Sequence, residues 1–138
     1  MKTIKDIIIR AINQKNERNY KHVYWAIDLH DTVIEGKYNR FNVGATVYPY
    51  VKEVLDYLYL SEDHRTILWT SSYEDSFNDI LDKYKLNFHF FNGNPECPST
   101  ELCDFTDKFY FSIGLDDKFG FDPITDWLVI KETLEGLK

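Results

Sequence analysis

The sequence predicts an α/β domain of three layers, a parallel sheet covered by helices on both faces. Short apolar runs alternate with amphipathic segments along the chain. The runs are dense in β-branched and aromatic residues, as strands buried on both faces require. The length of 138 residues suits a single domain, 1–138, with a helix and loop over 1–20 ahead of the first strand.

Ile4, Ile7, Ile8, Ala11 and Ile12 recur at helical spacing, so a first amphipathic helix is expected to end near Asn16. Residues 16–21 are polar and read as a loop. Residues 22–29 (HVYWAIDL) form the first strand, with Asp28 at its end. Residues 35–46 hold two glycines and little periodicity, which suits a loop or short hairpin. Pro49 opens a helix with Val51, Val54, Leu55, Leu58 and Tyr59 on one face, ending over 61–64. Residues 65–70 (RTILWT) make a second strand. Ser71 or Ser72 caps a third helix lined by Phe77, Ile80, Leu81 and Tyr84. Residues 86–91 are a third strand, 92–107 a polar connection with Gly93, Pro95 and Pro98, and 109–115 a fourth strand. Asp122 and Pro123 make a cap and first-turn pair for the last helix, with Ile124, Trp127, Leu128, Ile130 and Leu134 facing inward.

Composition narrows the function. Hydrophobic residues at 43 % and charged residues at 28 % mark a globular chain rather than a disordered one. A formal net charge of -7 repels phosphate backbones and argues against nucleic acid as a partner. Aromatic residues reach 17 %, enough to suggest a subunit interface and a homo-oligomer. Cys97 and Cys103 fit neither a disulfide framework nor a zinc pair, and read as reduced thiols. The charged start is unlike a signal peptide, and no apolar run is long enough to span a membrane, so a cytoplasmic location is expected.

Ligands of open parallel sheets bind beyond the carboxyl ends of the strands. Those ends carry Asp28, His30, Asp31 and Thr32 on the first strand, Thr70, Ser71 and Ser72 on the second, and Asp116 and Asp117 on the fourth, with Lys108 just before it. Carboxylates from two strands make a hard oxygen site suited to Mg²⁺. A carboxylate is also a nucleophile toward phosphorus, and a hydroxyl and an ammonium group hold phosphoryl oxygens.

The run Asp28-Leu29-His30-Asp31-Thr32-Val33, after VYWAI, resembles the first motif of haloacid-dehalogenase-like phosphatases, Asp-x-Asp-x-Thr. Ile67-Leu68-Trp69-Thr70-Ser71 resembles the second motif, Lys108 the lysine of the third, and Ile113-Gly114-Leu115-Asp116-Asp117 the acidic pair of the fourth. The resemblance implies a Rossmann-like fold and a role for each match. Asp28 would accept the phosphoryl group, Thr70 bind a phosphoryl oxygen, and Lys108 pair with Asp28 and phosphate. The backbone carbonyl of His30 would join Asp28 and Asp116 or Asp117 at Mg²⁺, and Thr32 would support the turn. The family's second aspartate is His30 here, whose imidazole suits acid–base work. Neither interval between motifs holds a cap domain, though 92–107 has the length of a partial lid.

Other readings stand beside these. Thr70 divides evenly between site and helix cap, Lys83 and Lys85 rival Lys108, and Asp122 reads as a cap. His22, His64 and His89 lack ligand spacing and read as structural or surface residues. Two functions follow: a Mg²⁺-dependent phosphohydrolase acting on a phosphomonoester of a small molecule or macromolecule, or a catalytically impaired relative that binds a phosphorylated ligand or a partner protein. A nucleic-acid end-processing phosphatase is disfavoured by the charge.

Overall fold

The strand VYWAI, β1 (Val23–Ile27), is buried at every residue. It pairs in parallel with β2 (His64–Leu68) on one side and β4 (Ile113–Leu115) on the other, and β2 pairs in parallel with β3 (Phe90–Phe91). The order β3-β2-β1-β4 makes β1 central and puts Asp28 at the carboxyl end of the sheet. This is a computed structural model, and it describes residues 3–36 and 46–137.

Alternation along the strands separates two faces. Val23, Trp25, Ile27, Leu68, Ile113 and Leu115 belong to one core cluster. Four helices feed that cluster: α1 (Ile4–Glu17) through Ile8 and Ala11, α2 (Val51–Leu60) through Val54, Leu55 and Leu58, α3 (Glu74–Tyr84) through Phe77, Ile80 and Leu81, and α4 (Asp126–Gly136) through Trp127, Ile130 and Leu134.

Tyr24 and Ala26 point the other way, beside Arg65, Ile67 and Gly114 in register. Their neighbours come from the irregular segment 92–111. The Tyr24 hydroxyl donates to Glu96 at 2.9 Å, and its ring meets Tyr110 edge-on at 5.9 Å. A Cβ on Gly114 would lie 3.1 Å from the Phe111 ring, so glycine leaves the space that this ring fills. The sequence reading put helices on both faces. The described helices instead share one core, and the segment with Gly93, Pro95 and Pro98, which lacks helical periodicity, meets the other face.

Glu96 fastens this segment. Besides Tyr24, its carboxylate pairs with His22 at 3.0 Å and with Arg65 Nε at 3.4 Å. Partial burial works against its charge, but these three partners together hold its pKa below the ordinary value. Glu96→Ala is therefore expected to cost about 1–2 kcal/mol. It should also accelerate limited proteolysis within 92–111, with urea unfolding as the quantitative check.

Element ends differ from the sequence reading in physically legible ways. The third and fourth strands shorten to Phe90–Phe91 and Ile113–Leu115, and ahead of the fourth the Phe109 and Phe111 rings meet Trp69. Neither Ser71 nor Ser72 caps α3, which starts at Glu74 without a side-chain cap. The last helix starts at Asp126 rather than Pro123. Asp122 organises the turn before it by accepting from Ile124 N at 3.0 Å, which leaves Ile124 73 % exposed instead of inward. Thr3 and Asp6 form a capping box on α1. Of the expected loop or hairpin over 35–46, residues 37–45 lie outside the described residues, while Ile34 and Val47 form an antiparallel bridge.

His64 shows what buried polar residues do in this core. Its Nδ1 accepts from Trp25 Nε1 at 3.0 Å, and burial pushes its pKa down to about 4. The folded state therefore holds it neutral, while an unfolded chain protonates near 6.5. Its contribution is complete above pH 6.5 and is lost as pH falls toward 4, by about 3 kcal/mol at most. Urea midpoints between pH 7 and 4 should fall accordingly, and less in His64→Gln. Among the described residues, no helix is long and apolar enough to cross a membrane.

Candidate functional site

Two ladder bonds fix where β1 ends. Asp28 N donates to Leu115 O at 2.9 Å, and Trp69 N donates to Ile27 O at 2.9 Å. Asp28 therefore lies between the end of β4, which leads into Asp116 and Asp117, and the end of β2, which leads into Thr70. Asp28, Asp116 and Asp117 are each partly buried, and each offers a carboxylate oxygen within 4.8 Å of the others.

Thr32 ties the two acidic pieces together. Its buried hydroxyl accepts from Asp117 N at 3.1 Å. Its single proton reaches Asp28 Oδ2 at 3.3 Å or Asp117 Oδ1 at 3.4 Å. Its carbonyl accepts from the buried indole of Trp127 at 2.7 Å, so α4 holds the turn from behind. Sequence reading found Thr32 as a turn support but passed over Trp127, whose helical spacing marks only a core residue.

Burial is the main cause that raises the Asp28 pKa to about 7, with the Asp116 charge next; hydrogen bonds to Leu29 N and Thr32 oppose it. Three crowded carboxylates with only hydroxyl and amide partners among the described residues carry more negative charge than their surroundings neutralise. Asp116 is partly engaged, since its Oδ1 accepts from Lys118 N at 2.9 Å and caps the short helical turn Asp117–Phe119. The donor set is all oxygen, from two adjacent strand ends, and fits a hard divalent cation such as Mg²⁺.

The other expected site residues are placed as follows. His30 is partly buried, with Nδ1 3.4 Å from Ser72 Oγ. Thr70 follows β2 closely; its N–H donates to Asn92 Oδ1 at 2.8 Å, and its hydroxyl accepts from Ser72 N at 3.1 Å. Ser72, read in the sequence as a cap, is thus a link between Thr70 and His30. Asp31 is turned away from the cluster: its backbone is left-handed at φ 62°, and its carboxylate accepts from Gly36 N at 2.8 Å. A Cβ at residue 36 would lie 2.6 Å from that carboxylate, so any larger residue there would displace the Asp31 side chain. Lys108 is exposed, in a surface hollow with Cys103, Asp104 and Phe109, and is not gathered with the three aspartates.

The fold has a relative among solved structures. The chain is similar to a conserved protein from Bacteroides thetaiotaomicron. The TM-score is 0.61 at 25% sequence identity, over 85% of this chain and 93% of that one. The likeness supports the α/β class and the four-stranded parallel sheet. No family model matches the chain, and no curated protein matches it.

Proposed function

We propose that the chain is a capless haloacid-dehalogenase-like phosphohydrolase that uses Mg²⁺ and forms an aspartyl-phosphate on Asp28. In this reading the domain is a three-layer Rossmann-like arrangement whose third layer is the 92–111 segment. The observation that carries it is the convergence of Asp28, Asp116 and Asp117 at the carboxyl end of the sheet. The ordered motif pieces supply the chemistry.

A cation held by these aspartates would offset their charge and draw a phosphoryl oxygen toward Asp28. An Asp28 carboxylate oxygen attacks phosphorus, and the bond from phosphorus to the leaving oxygen breaks. The leaving oxygen takes a proton, and water then attacks phosphorus, releasing phosphate and restoring the Asp28 carboxylate. The Thr70 side chain stands at the neighbouring strand end to receive a phosphoryl oxygen. His30, in contact with Ser72, is the candidate proton carrier. Lys108 is exposed and makes no ion pair with Asp28 among the described residues, so it is given no part in this step.

The test is hydrolysis of a phosphomonoester panel with Mg²⁺, wild type against Asp28→Asn. Turnover above that control supports the reading, and its absence across the panel refutes it. The second reading, a binder of phosphorylated ligands with impaired turnover, is favoured by one residue, His30 in place of the motif's second aspartate. His30→Asp then raises activity at least about tenfold. Robust wild-type turnover excludes this second reading.

A further inference from the structure

The segment 92–109 and the end of β2 line an open cavity of about 450 Å³, a size typical of small-ligand sites. Its lining includes the aromatic rings of Trp69, Phe105 and Phe109 and the side-chain amides of Asn92 and Asn94. Trp69 and Phe109 meet edge-on at 6.2 Å, and Trp69 remains 38 % exposed. Asn94 is buried, with Nδ2 donating to Tyr110 O at 2.9 Å and Oδ1 accepting from Glu96 N at 3.1 Å, so the wall is a built structure.

The cavity reaches Thr70 and Ser71, and Trp69 is bonded through its N–H to Ile27, the residue before Asp28. It therefore lies at the carboxyl end of β2, the strand beside the one that ends at Asp28. Its charge is selective. Among the described lining residues none is Lys, Arg or His, and Asp107 adds a carboxylate. A second anionic group on a ligand would meet repulsion there, whereas a planar ring would stack on or edge against aromatic faces.

We propose that this cavity is the leaving-group site and takes the uncharged, planar aromatic part of a phosphomonoester, with its phosphoryl group against Asp28. This rests on the phosphohydrolase reading for the phosphoryl end only. Ring recognition is a property of the cavity itself.

Trp25 and Trp127 are buried, so among the three tryptophans Trp69 is the one open to quenching by a ring-bearing ligand. The full chain, titrated in EDTA to prevent turnover, is followed by fluorescence and calorimetry. Adenosine is expected to bind at least tenfold tighter than ribose, and adenosine 5′-monophosphate at least tenfold tighter than ribose 5-phosphate. Trp69→Ala should remove that preference. Thr106→Trp, which adds bulk from the exposed rim, should weaken adenosine by a similar factor and guards against a folding defect in the first variant. Equal affinity within each pair, or a preference that survives both variants, overturns the proposal. Turnover of glycerol 3-phosphate, which has no ring, is measured separately. Absence of turnover of both this ester and adenosine 5′-monophosphate alongside a clear adenosine preference counts against the phosphohydrolase reading alone, and turnover of either without that preference counts against the cavity alone.

Discussion

Asp28→Asn is expected to abolish phosphomonoester hydrolysis, by about a thousandfold or more, while raising the stability of the metal-free protein by about 1–3 kcal/mol. The two effects have one origin. The carboxylate that serves as nucleophile is packed against Asp116 and Asp117 within 4.8 Å, and burial already raises its pKa to about 7. An amide keeps the shape and removes one charge from the crowded set. Metal response should change in the same variant. With a dissociation constant near about 1 mM, roughly 10 mM Mg²⁺ stabilises the wild type by about 1.4 kcal/mol. Asp28→Asn should lose most of that gain. Urea unfolding with and without Mg²⁺ measures both terms. A variant that is less stable than wild type without metal would show that the three carboxylates are not in conflict.

Trp127→Ala is expected to lower stability by about 3–5 kcal/mol, the cost of emptying a large buried aromatic site. Trp127 is 1 % exposed, meets Phe121 edge-on at 5.3 Å, and donates to Thr32 O at 2.7 Å. Trp127→Phe separates the causes. It keeps most of the ring and removes the hydrogen bond, leaving the Thr32 carbonyl without its indole donor, for about 1–2 kcal/mol. Because Thr32 also binds the Asp28–Asp117 pair, the Phe variant should weaken Mg²⁺ stabilisation although it touches no carboxylate. Thermal and urea unfolding in paired metal and metal-free buffers give the comparison. A Phe variant with unchanged metal response would separate the indole from the site.

The parts of this structure that sequence pattern reveals are those set by local rules. The continuous apolar run at Val23–Ile27 announces a strand buried on both faces, and its neighbour Asp28 follows directly. The acidic pair after Ile113–Leu115 lies beside Asp28 because the two strands are adjacent, which strand order alone arranges. What the sequence concealed depends on long-range packing. Nothing local shows that Phe109 and Phe111 meet Trp69, and their apolar run reads as part of a strand that in the structure begins only at Ile113. Trp127 reads as one more inward residue on a helix, and its bond to Thr32 spans the chain from α4 to the turn after β1. Glu96 lies in a polar connection without periodicity, and its role emerges only when Tyr24 and Arg65 stand side by side in register.

The account turns on Asp28 and a divalent cation sharing one site. The most direct measurement is a crystal structure of the full chain grown with Mg²⁺ and beryllofluoride, a mimic of a phosphoryl group on a carboxylate. The account predicts the mimic bonded to an Asp28 carboxylate oxygen, with the ion also touching Asp116 or Asp117. A mimic bound elsewhere, or an ion that leaves Asp28, Asp116 and Asp117 untouched, would contradict it.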